Sequence, residues 1–186
     1  MLGRTDVIYV IPSQGGKPTR LTKSETSEFR PSWSHDGKWI YYCSTRTGHA
    51  QVWKVPASGG AEVQVTTNGG GVAFESVDGE DLYYEKKDDL WKMPVRGGGE
   101  TRVLESLLEQ NFAPTKHGIY FLDGLPVLKT TSHLKLLDFT THAIRTIATV
   151  PGLVGDEIDV SPDGRWMLFY KIDREGSELM IVENFH

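Results

Sequence analysis

One short pattern returns along this chain at nearly equal intervals. It stands as Ile8-Tyr-Val-Ile-Pro12, Val52-Trp-Lys-Val-Pro56, Leu90-Trp-Lys-Met-Pro94, Leu134-Lys-Leu-Leu-Asp138 and Leu179-Met-Ile-Val-Glu183, with first residues 44, 38, 44 and 45 positions apart. The first three copies run into matching turns, Ser13-Gln-Gly-Gly16, Ala57-Ser-Gly-Gly60 and Val95-Arg-Gly-Gly98. An apolar residue then follows at a fixed offset, Leu21, Val65 and Val103. A fold for this chain must therefore repeat the same unit, each unit leaning on the next.

A second pattern precedes the first within each unit: Ile40-Tyr-Tyr42, Leu82-Tyr-Tyr84, Ile119-Tyr-Phe121 and Met167-Leu-Phe169. Three of these follow an Asp-Gly turn, Asp36-Gly37, Asp78-Gly79 and Asp163-Gly164, while the other follows a shortened Lys116-His117-Gly118. Asp-Gly between apolar runs marks a hairpin, because glycine accepts the positive φ that the turn requires. Trp39, Ile40, Tyr41 and Tyr42 put large residues on both faces of one strand, so both faces must be covered; a half-solvated strand would alternate with polar residues. A period of about 40 to 45 residues with about four short strands per unit predicts an all-β fold, a β-propeller of four-stranded antiparallel blades. Helical spacing is confined to Val103–Glu109, through Leu104, Leu107 and Leu108, and predicts one turn there at most.

Composition sets the outer bounds. The chain has 186 residues, 38% hydrophobic and 24% charged, which is globular. A formal charge of −5 argues against a sequence-independent nucleic-acid surface. Apolar runs are too short to span a bilayer, and the start, Met1-Leu-Gly-Arg-Thr-Asp6, has no apolar leader region. Cys43, the one cysteine, lies in the most apolar strand and is expected to be a small core residue.

Pro31-Ser-Trp-Ser-His-Asp-Gly-Lys-Trp-Ile-Tyr-Tyr42 and Val160-Ser-Pro-Asp-Gly-Arg-Trp-Met-Leu-Phe-Tyr170 resemble the blades of TolB-like propellers, also called WD40-like or PD40 repeats. His35 stands where that blade type usually has proline, and the third complete unit lacks Asp-Gly. The resemblance implies a bacterial protein-binding or regulatory propeller whose ring usually holds six or more blades. It also hints at the periplasm, while the chain itself allows the cytoplasm equally.

Strands a to d of each blade, counted from the axis outward, are assigned in order. Residues 6–22 supply only c and d; complete blades are expected at 29–67, 71–106 and 110–150; and 156–184 supplies a, b and c. The total of seventeen strands is about four blade-equivalents per chain. Four blades could close a tight ring, or the chain could be part of a longer propeller. Bulky strand b residues such as Trp39, Trp166 and Tyr170 favour wide blade separation, and the expectation is a homodimer completing a ring of about eight blades.

The chemistry-bearing residues are sparse. His35, His49, His117, His133, His142 and His186 form no metal-binding spacing, and most fall in turns. There is no Gly-x-Ser-x-Gly elbow and no phosphate loop, so neither cofactor nor metal is expected. The Gly-rich stretches lie between strands and read as turns. Asp36, Asp78 and Asp163 recur at one end of successive blades; the simplest account is that each bonds the backbone of its own turn. Trp33, Trp39, Trp53, Trp91 and Trp166 sit at repeated strand positions and are expected to pack between blades. For binding at a face or the central channel, the strand a residues and their entry loops supply Glu28, Arg30, Asn111, Asp156 and Glu157 as candidates.

Two functions follow. The favoured one is a non-enzymatic interaction or sensor module that binds a protein or small ligand. The alternative is a gating-domain fragment of a prolyl-oligopeptidase-type hydrolase, whose propellers are similar. That reading needs an α/β-hydrolase domain, of which this sequence contains no sign.

Overall fold

A computed structural model describes residues 5–107, 112–123, 131–161 and 163–172. The described residues form β-strands and connecting turns with no helix. A hairpin of β1 (Tyr9–Val10) and β2 (Thr19–Arg20) comes first. The first blade is β3 (Glu28–Trp33), β4 (Trp39–Ser44), β5 (Gln51–Pro56) and β6 (Val63–Gln64). The second is β7 (Ala73–Glu75), β8 (Asp81–Lys86), β9 (Asp89–Pro94) and β10 (Thr101–Leu104). The third is β11 (Phe112–Pro114), β12 (Gly118–Asp123), β13 (Thr131–Asp138) and β14 (Ile144–Pro151). A last pair follows, β15 (Leu153–Val160) and β16 (Met167–Ile172).

Each blade is an antiparallel meander, its strands hydrogen-bonded in chain order. The first strands of successive sheets lie against one another, β3 on β7, β7 on β11 and β11 on β15, which places them on the inner side of a radial stack. The core is divided into one apolar cluster per interface. Ile8 and Leu21 of the hairpin meet Ile40, Tyr42 and Val55 of the first blade. Tyr41 and Val52 meet Ala73, Leu82 and Tyr84 of the second. Tyr83 and Leu90 meet Phe112, Ile119 and Phe121 of the third, and Leu122 and Leu134 meet Val154 and Ile158 of the last pair. Even and odd positions of one strand thus serve opposite neighbours, which explains why the second strands are apolar on both faces.

Two sequence expectations need correction. Residues 101–104 are strand β10, and no helical turn is found at 103–107; 108 and 109 lie outside the described residues. The Leu104 spacing that suggested a helix reflects burial of Leu104 and Leu107 in the cluster between second and third blades. Trp33 and Trp166 do not pack between blades but are 56% and 70% exposed, because the described residues place no complete blade over either. Trp53 and Trp91 do pack against inter-blade clusters. The predicted strand at 178–183 lies outside the described residues.

Candidate functional site

Asp-Gly turns build one face of the stack. Asp36 Oδ1 accepts from Ser34 Oγ at 2.8 Å and Lys38 N–H at 3.0 Å, and Ser34 Oγ accepts from Trp39 N–H at 2.9 Å. The same ring of bonds recurs at Ser76, Asp78, Glu80 and Asp81 and again at Ser161, Asp163, Arg165 and Trp166. Hydrogen bonds from the Lys38 backbone and Ser34 lower the Asp36 carboxyl from 3.8 to about 2. Asp78 and Asp163 are lowered by their serines and backbone N–H groups. These aspartates are structural, and among the described residues no cluster of His, Cys, Asp or Glu is arranged to hold a metal ion.

Between blades the same face opens into grooves. One, about 290 Å³, lies between the first and second blades and is lined by His35, Asp36, Tyr41, Lys54, Glu75 and Asp78 among others. Glu75 occupies it: Tyr41 Oη donates to Oε1 at 2.6 Å and the His35 N–H to Oε2 at 2.6 Å. The next, about 730 Å³, lies between the second and third blades. Val103, Leu137 and Phe139 give it an apolar floor, and Tyr83 stacks on Phe139 with centroids 6.3 Å apart. Lys92, Arg102, Lys116, Asp78 and Asp81 supply the charge. Lys92 Nζ reaches Asp81 at 2.7 Å. Burial, aided by Asp81 and Asp78, pushes the Tyr83 hydroxyl up to about 12, so it remains a hydrogen-bond donor at neutral pH.

The strand a candidates fall elsewhere. Glu28 is 1% exposed, and one of its oxygens is ion-paired to Arg46 while Oε2 is buried without a hydrogen-bond partner. Arg30 sits in a bulge of β3 with φ of 59°, its guanidinium 5.8 Å from the Phe29 ring centroid. Asp156 and the exposed Glu157 lie on β15, in the irregular stretch between Val154 and Ile158. Asn111 lies outside the described residues. The described candidates thus form two pairs on strands separated by β7 and β11, and none lines the large groove.

Sequence reasoning missed a polar network that the structure repeats. Arg46 lies over Trp53, 4.4 Å from its ring centroid, and pairs with Glu28 and Glu62, while Tyr42 Oη donates to Glu62 at 2.9 Å. One blade on, Lys86 lies 3.7 Å over Trp91 and pairs with Glu100, which also receives Tyr84 Oη. Burial raises the Glu28 carboxyl despite Thr22 and Arg46. For Glu62 burial is outweighed by bonds from Arg46, Tyr42 and the Lys23 N–H, and its carboxyl is lowered. The signal was a glutamate shortly after each Gly-Gly turn, Glu62 and Glu100, at equal distance from Trp53 and Trp91. Cys43 is buried as expected; burial pushes its thiol up to about 11.

An oligogalacturonate lyase from Vibrio parahaemolyticus superposes with a TM-score of 0.59 at 17% identity, covering 86% of this chain and 52% of that one. A TolB-type protein from Agrobacterium tumefaciens superposes with a TM-score of 0.74 at 21% identity, covering 90% of this chain and 67% of that one. At these identities both likenesses speak to the fold. In sequence, an uncharacterized protein of Agrobacterium fabrum strain C58 is 39% identical over 67 residues, which is 36% of this chain and 23% of that protein. This chain therefore spans about a quarter of the curated relative it matches. The profile of the TolB β-propeller domain, PD40, matches residues 3–125, from the hairpin through the first two strands of the third blade. With well over half of the sequence inside that match, and with blades of the same kind in the structure, the chain belongs to the TolB β-propeller domain family.

Proposed function

We propose that this chain is a non-catalytic recognition module that takes a segment of a partner protein in the groove between its second and third blades. The observation that carries this reading is the groove itself, about 730 Å³ on the turn face, with an apolar floor and a charged rim. Its walls are strands and tight turns, so little ordering cost is added on binding. Asp78 is tied to Ser76 and the Glu80 N–H, and Asp81 to Lys92, so neither is poised as a free base.

The test is selection of peptides on the immobilised 186-residue chain, with affinities measured by calorimetry. Val77→Trp, which fills the groove from an exposed position without changing charge, is expected to weaken the selected peptides by about tenfold or more. Peptides indifferent to that change would overturn the reading. So would turnover of generic ester, peptide or oligogalacturonate substrates.

The same proposal includes a second copy of the chain. On the following face of a blade, Tyr41 is 1% exposed under the second blade, but Leu168, at the same strand position, is 72% exposed, and Trp166 beside it 70%. At the other end of the stack Tyr9 and Ile11 of the hairpin are 56% and 52% exposed. Among the described residues one end presents the outer-strand hairpin β1–β2 and the other the inner pair β15–β16, which supports a ring of about eight blades completed by two copies.

A further inference from the structure

The two grooves on the turn face are repeats of one design, and they differ at one position. Glu75 pairs in register with Leu82, and Pro114 pairs with Ile119. Leu82 and Ile119 begin the equivalent Leu-Tyr-Tyr and Ile-Tyr-Phe triplets, so Pro114 stands where the second blade has Glu75. In the smaller groove the Glu75 carboxylate is received by Tyr41 Oη and the His35 N–H of the preceding blade, with Lys54 in the same wall.

The larger groove carries the same donors one blade on. Tyr83 takes the place of Tyr41, Val77 that of His35, and Lys92 that of Lys54, and all three line it. The third blade answers with a proline, which has no carboxylate to offer. Among the described residues neither the Tyr83 hydroxyl nor the Val77 N–H has a hydrogen-bond partner. The Lys92 ammonium donates one hydrogen bond to Asp81 and has three N–H groups in all.

Charge moves in the same direction. Three carboxylates and one lysine line the smaller groove, whereas two carboxylates and three cations line the larger. Lys116, exposed at the shortened turn of the third blade, is one of those added cations. Arg102 is paired with Asp89 at 3.4 Å and Glu105 at 2.7 Å, so the added charge rests on Lys116; the larger groove keeps the receiving half of a carboxylate contact and lacks the carboxylate at the place of Glu75.

We propose that this groove is a carboxylate-binding site, and that its occupant is an acidic side chain of a partner protein's peptide, seated as Glu75 is seated one blade earlier. The inference rests on the reading of the chain as a protein-binding module. The apolar floor of Val103, Leu137 and Phe139 fits an aliphatic residue next to the acidic one.

The probes are two peptides, acetyl-Glu-Leu-amide and acetyl-Gln-Leu-amide, titrated at constant ionic strength into the isotope-labelled chain with amide shifts recorded by NMR. The acidic peptide is expected to move the Val77 amide and to bind about tenfold tighter than the amide peptide, the effect of one charge-assisted hydrogen-bond set. Tyr83→Phe is expected to shrink that ratio severalfold. Pro114→Glu restores the missing carboxylate from within the chain and is expected to abolish binding while leaving the circular dichroism spectrum unchanged. Equal affinity of the two peptides, shifts confined to another surface, or undiminished binding by a folded Pro114→Glu chain would each overturn the site. If selected peptides are blocked by Val77→Trp yet are indifferent to Glu→Gln exchange, the carboxylate site falls and the module reading stands. If the acidic dipeptide binds but no selected peptide does, the module reading falls and the site stands. Preferential binding of oligogalacturonate fragments in the groove would overturn the protein partner named here.

Discussion

Asp36 shows how one residue can be legible in sequence as to place and not as to consequence. Its turn was readable from Asp-Gly, but the serine two residues earlier closes the ring of bonds, and that ring lowers its carboxyl from 3.8 to about 2. A folded-state value below the unfolded one means that the turn favours folding at neutral pH; the contribution is full above about pH 4 and is lost as pH falls toward 2. Carboxyl NMR titration is expected to place the Asp36 midpoint near 2, and Ser34→Ala to move it upward. Arg46 poses the opposite case, a single cation between two carboxylates, Glu28 and Glu62. Arg46→Met leaves both carboxylates without their cation, and urea unfolding is expected to show a loss of about 3 kcal/mol at neutral pH. Because the Glu28 carboxyl is already raised by burial, its protonation relieves part of the cost, and the deficit of the variant is expected to narrow as pH falls toward 5.

At the scale of the strand, position within the blade decides cost. Leu82 on the second strand is 1% exposed and packed against the first blade, whereas Val63 on the two-residue outer strand is 42% exposed. Leu82→Ala is expected to cost about 3 kcal/mol in denaturant unfolding, and Val63→Ala less than about 0.5 kcal/mol. The missing Asp-Gly of the third blade has its own physical answer. Thr115 N–H bonds the Gly118 carbonyl across a shortened turn, and a Cβ on Gly118 would lie 2.1 Å from the Leu137 carbonyl oxygen. Gly118→Ala is therefore expected to shift β13 or unfold that turn, visible as loss of amide protection at residues 136–139 in hydrogen exchange.

At the scale of the whole molecule, the described stack exposes Tyr9 and Ile11 at one end and Trp166 and Leu168 at the other. Light scattering of the 186-residue chain is expected to give the mass of two copies. Leu168→Asp, placed on the bare following face, is expected to return it to one without loss of sheet content. A folded chain that stays monomeric at all concentrations would remove the second copy from the account. The three four-stranded blades were legible because the repeat recurs at regular intervals along the chain. How an end is covered was not, because exposure depends on what lies beyond a strand, as the contrast between Tyr41 and Leu168 demonstrates.

Sequence alone determined the strand order, the turns and the two-sided apolar pattern, since each follows from residues close together in the chain: Asp36-Gly37, Ile40-Tyr-Tyr42, Val52-Trp-Lys-Val55. Tertiary structure alone decided which polar groups meet across a blade boundary. Glu75 meets Tyr41 and His35 from across a blade boundary, and the proline at the equivalent position, Pro114, has meaning only once the preceding blade's Tyr83, Val77 and Lys92 are seen to line one groove. Local pattern fixes a blade because backbone geometry is local; a site between blades is fixed by side chains some forty residues apart, whose pairing depends on how the sheets stack.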